Sequence, residues 1–217
     1  MKLRQTIIFL ICLLSFKNLL GQSAISIEAH TIGMHFFGNP NLRYYENNFD
    51  SLGYFCAEPG AMFSYEFYVS ANWLSIQLSQ SFFSDAAGLL AGFTKISLRY
   101  MFFHKFRNQL YIDVAPAITY RKSWTTLGPY YIREANYKRN GNIEFRPSII
   151  TKIEYDIFIR NRSDVNISIM YGNSYKTLSF MLGYRYWINY KVKTTQSCDC
   201  YNFKKKTIWR RLLQLFR

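Results

Sequence analysis

Short runs in which apolar and polar residues alternate fill most of the sequence between residues 24 and 190. In the clearest run, Leu74, Ile76 and Leu78 share one face, and Ser75, Gln77 and Ser79 share the other. A side-chain period of two belongs to a β-strand whose two faces meet different surroundings. The other seven runs are 25–37, 60–69, 95–102, 112–121, 152–159, 165–169 and 178–185. The chain is therefore predicted to be all-β, with eight strands.

The connections between these runs alternate in length. The short ones are 70–72, 104–109 and 161–164, and the others are 38–59, 84–92, 125–145 and 172–176, of which the last is also short. Barrels of the outer membrane have short periplasmic turns and longer outer loops, and an even strand number leaves both termini in the periplasm. The pattern predicts an up-and-down antiparallel transmembrane barrel, exported to the outer membrane.

Alternation alone does not decide which face of the barrel is apolar, because a soluble ligand carrier of eight strands also alternates. The polar positions are rich in Ser, Asn, Gln and Gly and carry both charge signs, whereas a water-facing wall is usually dense in Lys and Glu. Aromatic residues, 19% of the chain, gather near the run ends as they do at bilayer interfaces. These are Phe36, Phe37, Phe82, Phe83, Tyr120 and Trp124 on the loop side and Tyr68, Trp73, Phe102, Phe103 and Trp187 on the turn side.

Residues 1–23 have the pattern of a secretory signal peptide. Lys2 and Arg4 form a basic start, 6–16 is apolar, and small residues follow between Gly21 and Ala24. The apolar run is far shorter than the roughly 20 residues of a spanning helix, although a retained anchor is the alternative. The expected organisation is a signal peptide at 1–23, a barrel at 24–190 and a basic periplasmic tail at 191–217.

The last run ends in Gly183, Tyr184, Arg185, Tyr186 and Trp187. With this aromatic closing strand, the chain over 24–190 resembles the small outer-membrane barrel superfamily of OmpA and OmpX. The resemblance implies the fold, the outer-membrane location, contact with outer-membrane lipid and recognition of the closing strand by the barrel-insertion machinery. The chain departs from many family members because it continues past that strand.

Charged residues of both signs fall on the face predicted to point inward. They are Glu28, His30, Glu66, Lys95, Arg99, Asp113, Arg121, Lys152, Glu154, Asp156 and Arg185. An eight-stranded barrel is narrow enough for side chains to fill it, and buried charges without partners are costly. We expect an interior polar network of Glu66, Arg99, Asp113, Arg121, Glu154, Asp156 and Arg185, and therefore a plugged interior. The same set could form an acid/base site.

These features favour a structural or surface-interaction role and no enzymatic activity. One alternative is a lipid A-modifying, deacylase-like enzyme, because Tyr171 to Ser174 loosely resembles the serine neighbourhood of such enzymes. A serine hydrolase needs a histidine beside its serine. None stands two residues before Ser174, and His30 or His35 could reach it only across the seam between the first and last strands. A small pore is another alternative.

No catalytic residue, cofactor site or metal site is predicted, because phosphate-loop and zinc-ligand patterns are missing from the sequence. Cys198 and Cys200 are half of a zinc site at most, and a disulfide in an oxidising periplasm is the expected reading. Cys56 belongs to the first outer connection, on the opposite side of the membrane. We therefore expect no bridge between Cys56 and either tail cysteine.

The tail is the most basic part of the chain, whose formal charge is +14. Trp209, Leu212 and Phe216 fall on one apolar helical stripe, and Arg210 and Arg211 fall on the opposite side. This form is typical of a helix that lies in a membrane interface. Anionic lipid or an acidic periplasmic protein is the expected partner, and nucleic acid is not expected for an exported protein. A disordered basic tail is the alternative.

Overall fold

The structure, a computed structural model, describes residues 22–37, 41–70, 73–128, 132, 137–160, 162–172 and 176–188. Residues 1–21 of the predicted signal peptide, Ser174, Cys198, Cys200 and the tail residues Trp209, Arg210, Arg211, Leu212 and Phe216 lie outside these ranges. The strands are β1 (Ser23–His35), β2 (Phe55–Ser70), β3 (Leu74–Ser84), β4 (Leu90–Lys105), β5 (Asn108–Lys122), β6 (Lys138–Asn140), β7 (Ile143–Arg160), β8 (Ser163–Gly172) and β9 (Thr177–Trp187). No helix in the described ranges has both the length and the apolar character needed to cross a bilayer.

The strands close into an antiparallel barrel. The order around the wall is β5, β4, β3, β2, β1, β9, β8 and β7, and β5 also pairs with β7. The first and last barrel strands meet along most of their lengths, since Ala24 lies opposite Trp187 and His35 opposite Thr177. β6 is a short additional strand on the outer end of β7. The predicted eight-stranded all-β barrel is confirmed.

Several strands are longer than the alternating runs suggest. β2 already begins at Phe55 and β7 at Ile143, so part of each predicted outer loop belongs to the wall. Glu58 and Pro59 at one site and the polar residues after Ile143 at the other interrupt the simple apolar alternation. Both extensions form because neighbouring strands supply backbone partners there, such as Lys122 for Ile143.

Burial in this barrel is inverted relative to a water-soluble domain. Leu98 points outward with 56% of its surface exposed, while its neighbour Arg99 points inward and is fully buried. The same alternation recurs through the middle of the barrel strands, and the outward face is composed mainly of Ile, Leu, Val, Phe and Tyr. An apolar exterior around a polar interior is the arrangement of a transmembrane barrel.

The aromatic residues near the strand ends do not all face the membrane interface. Phe36, Phe37, Phe82, Phe102 and Phe103 are exposed on the outer wall or its rims, as predicted. Phe83, Trp124, Tyr68 and Trp187 are instead buried. Their positions in the strand period decide this, because Tyr68 and Trp187 share the inward phase with Glu66 and Arg185.

Candidate functional site

The centre of the barrel holds two arginines against two carboxylates of the same strand. Arg99 on β4 donates from Nη2 to Glu154 Oε1 at 2.6 Å and to Asp156 Oδ2 at 3.3 Å. Arg185 on β9 forms ion pairs with the same two carboxylates from across the barrel. Strand geometry brings Glu154 and Asp156 together, because residues two apart on β7 point to the same side.

Glu66 on β2 completes this central cluster. Its carboxylate oxygens lie 3.3 Å from Arg99 Nε and 3.3 Å from Arg185 Nε, and it accepts a 2.5 Å hydrogen bond from the Ser75 hydroxyl. The Tyr111 ring lies against the Arg99 guanidinium, with 3.8 Å between Cζ and the ring centroid. Side chains from β2, β4, β5, β7 and β9 therefore meet on the barrel axis.

A second group of charged side chains lies closer to the outer end of the barrel than the central cluster. Lys152 Nζ donates to Glu154 Oε2 at 2.5 Å and to Glu28 Oε1 at 2.9 Å. Lys95 Nζ donates to Asp113 Oδ1 at 3.1 Å. Room for Glu28 comes from Gly183, because a Cβ atom there would lie 2.4 Å from Glu28 Cγ. The two groups share Glu154, so the buried charges form one connected network.

Arg121 was expected in this network, and the structure places it elsewhere. It lies near the outer end of β5, where its Nε donates to Glu144 Oε2 at 3.0 Å, and its guanidinium stacks over the rings of Trp124 and Tyr137. Arg121 and Glu144 face each other in the β5–β7 register. Arg121 lies near the outer end of β5 and Asp113 nearer its middle. A single network of all seven residues stays a prediction.

Between the network and the outer end lies an apolar layer. It contains Met62, Phe83, Ala91, Phe93, Ala117, Ile150, Met170 and Met181. His30 lies in this layer, stacked on Phe83, and its Nε2 is 2.8 Å from the Ser81 hydroxyl. The pair resembles the first two members of a hydrolase triad, but Ser81 is completely buried and has no opening for a substrate.

Aromatic residues lie at the end of the interior where the short turns connect the strands. The Tyr68 and Trp187 rings stack with centroids 5.2 Å apart, and the Tyr68 hydroxyl lies 3.3 Å from that of Tyr111. The indole N–H of Trp187 donates to Asp164 Oδ2 at 2.7 Å. The two tyrosine hydroxyls and the Trp187 indole N–H thus have partners at this end, which we call the floor.

The outer connections pack together over the other end and form a cap. Its apolar centre consists of Tyr45, Cys56, Ala86, Ala87 and Trp124, with Leu42, Leu89 and Leu127 packed against it. These residues come from the outer connections after β1, β3 and β5 and from the start of β2. Cys56 is a free, buried thiol. The described parts of these connections therefore pack against one another.

Asp85 links the second and third outer connections of the cap. Its Oδ1 accepts the backbone N–H groups of Ala87 and Leu89, at 3.0 and 2.8 Å, and its Oδ2 accepts the indole N–H of Trp124 at 2.7 Å. Burial raises the pKa of Asp85 to about 6, against the opposing effects of these N–H groups and of Arg121.

His35 and Glu58 form a second polar contact beneath the cap. His35 Nε2 lies 3.3 Å from Glu58 Oε1, and its Nδ1 lies 3.2 Å from the Thr177 hydroxyl. Glu58 occupies the space above Gly33, where a Cβ atom would lie 2.1 Å from its Oε2. The side chains of both His35 and His30 therefore point inward and contact interior residues. The structure provides no support for a hydrolase at the strand seam.

Within the described ranges, no three His, Cys, Asp or Glu side chains are grouped as metal ligands. The site is thus a filled interior with charges that pair with one another, between an aromatic floor and a packed cap. Such an interior can hold the wall together and block passage through it. This geometry defines the class as a closed, antiparallel transmembrane-type β-barrel with a polar, charge-paired interior.

Comparison with known proteins gives similarity at the level of the fold. The chain is similar to Ail, the attachment invasion locus protein of Yersinia pestis, with 14% identity over 78% of this chain and 99% of Ail, at a TM-score of 0.46. The N-terminal β-barrel domain of Pseudomonas aeruginosa OprF has 14% identity over 77% and 99% of the two chains, at 0.47. Neisserial surface protein A has 13% identity over 76% and 96%, at 0.47. No family model and no curated protein matches the sequence.

Proposed function

We propose that this protein is an outer-membrane barrel with a structural or surface-interaction role. The observation that carries the proposal is the inversion of burial, with exposed Ile, Leu and Val on the wall and buried Arg, Lys, Glu and Asp inside it. In water such a wall would expose a large apolar surface. In a bilayer the same wall contacts lipid acyl chains, which are also apolar. The N-terminal signal peptide and recognition of the closing strand by the barrel-insertion machinery belong to the same proposal.

The test is fractionation of cells that produce the full chain, followed by refolding of the purified protein. We expect it in the outer-membrane fraction, without residues 1–23. Refolding into phospholipid vesicles should yield a species that migrates faster than the unfolded chain on a gel when unheated and that resists protease. Recovery in a soluble periplasmic fraction would contradict the proposal.

The plugged interior supports a role other than transport. The charge network, the apolar layer and the cap occupy successive levels of the same interior, and an eight-stranded barrel has no width to spare around them. We expect the purified wild-type protein to give no stable single-channel currents in a planar bilayer. Stable currents would favour the pore alternative.

The cap supports a role at the cell surface. Phe49 and Leu52 lie on the first outer connection with 65% and 60% of their surfaces exposed, although the neighbouring Tyr45 is buried in the cap. Exposed apolar side chains on a packed support are common at binding surfaces.

For the tail, we propose an interfacial helix that binds anionic lipid of the periplasmic leaflet. Trp209, Leu212 and Phe216 would enter the interface, and Arg210 and Arg211 would contact headgroups. A peptide of residues 203–217 should be unordered in buffer and become helical on anionic vesicles, with binding that weakens as salt rises. A peptide that stays unordered with lipid would contradict this and favour a disordered or partner-binding tail.

A further inference from the structure

The outward face of β1 forms a valley between two aromatic ridges. Ile25 lies between Tyr65 of β2 and Tyr186 of β9 in the strand register. Ile27 is flanked in the same way by Phe63 and Tyr184. Because each isoleucine is shorter than the ring on either side, a groove follows the strand. Its volume is about 500 Å³, and Leu78 and Gln80 extend its β2 side.

The width of this groove favours a single hydrocarbon chain as its occupant. The ridges stand on strands two positions apart, and neighbouring strands are about 4.8 Å apart, so the backbones of the ridges are separated by roughly 10 Å. A helix with its side chains is itself about 10–12 Å across, and the aromatic rings already occupy part of the width. An extended acyl chain fits such a space along the strand.

A cationic side chain lies beside the periplasmic end of the groove. The Tyr184 hydroxyl on the β9 ridge is 2.6 Å from the hydroxyl of Ser163. Arg162 immediately precedes Ser163, in the turn between β7 and β8. The Arg162 Nη1 donates to the Ile188 carbonyl at 3.3 Å. Asp164, the nearest acidic residue along the chain, is turned inward to Trp187. Among the described residues at this end of the barrel, none of the carboxylates is exposed.

We propose that this groove binds one acyl chain of an anionic phospholipid from the periplasmic leaflet, with the headgroup beside Arg162. The inference rests on the proposed membrane location. Because the surrounding lipid is also apolar, burial in the groove adds no hydrophobic gain over the bulk membrane. Close contact with two rows of rings and with the Ile25 and Ile27 side chains holds the chain, and the attraction of Arg162 for the headgroup selects an anionic lipid.

The test compares lipid retention by barrels refolded in nanodiscs of phosphatidylglycerol and phosphatidylcholine and then released for native mass spectrometry. The wild type should retain one phosphatidylglycerol. Ile27→Phe places a ring in the groove and should lower the fraction of barrels that retain phosphatidylglycerol about tenfold. Ile153→Phe is the matched control, because Ile153 is similarly exposed but is flanked by Ile112 and Ile169 on a flat part of the wall. It should retain lipid like the wild type.

Arg162→Gln tests the headgroup separately. It should reduce the preference for phosphatidylglycerol about fivefold, which corresponds to the loss of one cation near an anionic surface, while phosphatidylcholine retention stays unchanged. Equal retention by the wild type and Ile27→Phe, an equal loss in Ile153→Phe, or a protein dimer in place of a lipid complex would overturn the proposal. Protease protection of the same samples separates the two hypotheses, since an inserted barrel without lipid overturns only the groove, whereas a chain that fails to insert overturns both.

Discussion

The two faces of the barrel wall are built from the same strands but are stabilised in opposite ways. On β7, Lys152, Glu154 and Asp156 point inward and are held by ion pairs to residues of β1, β4, β5 and β9. On the same strand, the apolar side chains of Ile153 and Ile157 point outward and are exposed. The inner face is therefore stabilised by specific side-chain partners, while the outer face is stabilised by the surrounding lipid. A substitution should have very different consequences on the two faces.

The largest effect is expected from removal of a central cation. Arg99→Met leaves Glu154, Glu66 and Asp156 with one arginine fewer among buried carboxylates. The loss of one partner from a buried ion pair typically costs about 3–5 kcal/mol, because the remaining charge is uncompensated. We expect a decrease of this size in the free energy of unfolding, measured by urea titration of the barrel in vesicles.

A double variant identifies the cause of that decrease. Glu154→Gln removes one of the carboxylates that Arg99 neutralises, so Arg99→Met combined with Glu154→Gln should be less unstable than the sum of the two single variants. Additive effects would mean that the two side chains act independently, and the network would then not be the unit that stabilises the interior.

A charge introduced on the outer face should have the next largest effect. Leu98 lies in the middle of β4 and Leu90 at its outer end, and both point outward. An arginine near the bilayer midplane costs about 2–4 kcal/mol, and the cost falls to about 0–1 kcal/mol near the interface. Leu98→Arg should therefore destabilise strongly and Leu90→Arg only weakly. Similar urea midpoints for the two variants would contradict the lipid-facing assignment.

The sequence predicts the inner and outer faces well because the strand period of two needs no knowledge of neighbours. Arg99 and Leu98 have opposite environments simply because they are adjacent in a strand. The sequence does not predict which charged side chains pair, because the pairing of Arg121 with Glu144 depends on the β5–β7 register. Glu58 and Glu144 fall within the predicted outer connections 38–59 and 125–145, but the structure places them in β2 and β7. Long-range strand pairing and packing between loops place them at the outer mouth.

The outer mouth, where the inner face meets water, should respond to pH through Asp85. Its pKa is about 6 in the folded cap and 3.8 in the reference state, so the stabilisation it provides is present below pH 3.8 and is lost as the pH rises through about 6. Between pH 4 and pH 7 the opening of the cap should become easier by about 2 kcal/mol. Hydrogen exchange at the Ala87 and Leu89 amides measures this opening.

Asp85→Asn is the control for this pH dependence. Asparagine cannot ionise and presents an amide N–H₂ to one of the N–H donors, so the cap should exchange faster at pH 4 than in the wild type. Its exchange protection should change much less between pH 4 and pH 7. An unchanged pH profile in Asp85→Asn would show that Asp85 is not the source of the pH dependence.

The smallest effect is expected at a polar cluster on the outer face. Thr94 donates to Gln80 Oε1 at 2.6 Å, and Gln80 Nε2 lies 2.5 Å from the hydroxyl of Tyr120, which donates to the Ser81 carbonyl. Hydrogen bonds between side chains in a membrane contribute about 0.6 kcal/mol on average, because lipid-exposed groups find other partners after a substitution. Thr94→Val should cost about that much in a urea titration.

Ser75→Ala removes one hydrogen bond to the Glu66 carboxylate on the inner face, and a bond to a charged group is worth about 1.5–3 kcal/mol. If Thr94→Val cost as much as Ser75→Ala, the outer face would also depend on specific partners, and the contrast between the two faces would be wrong.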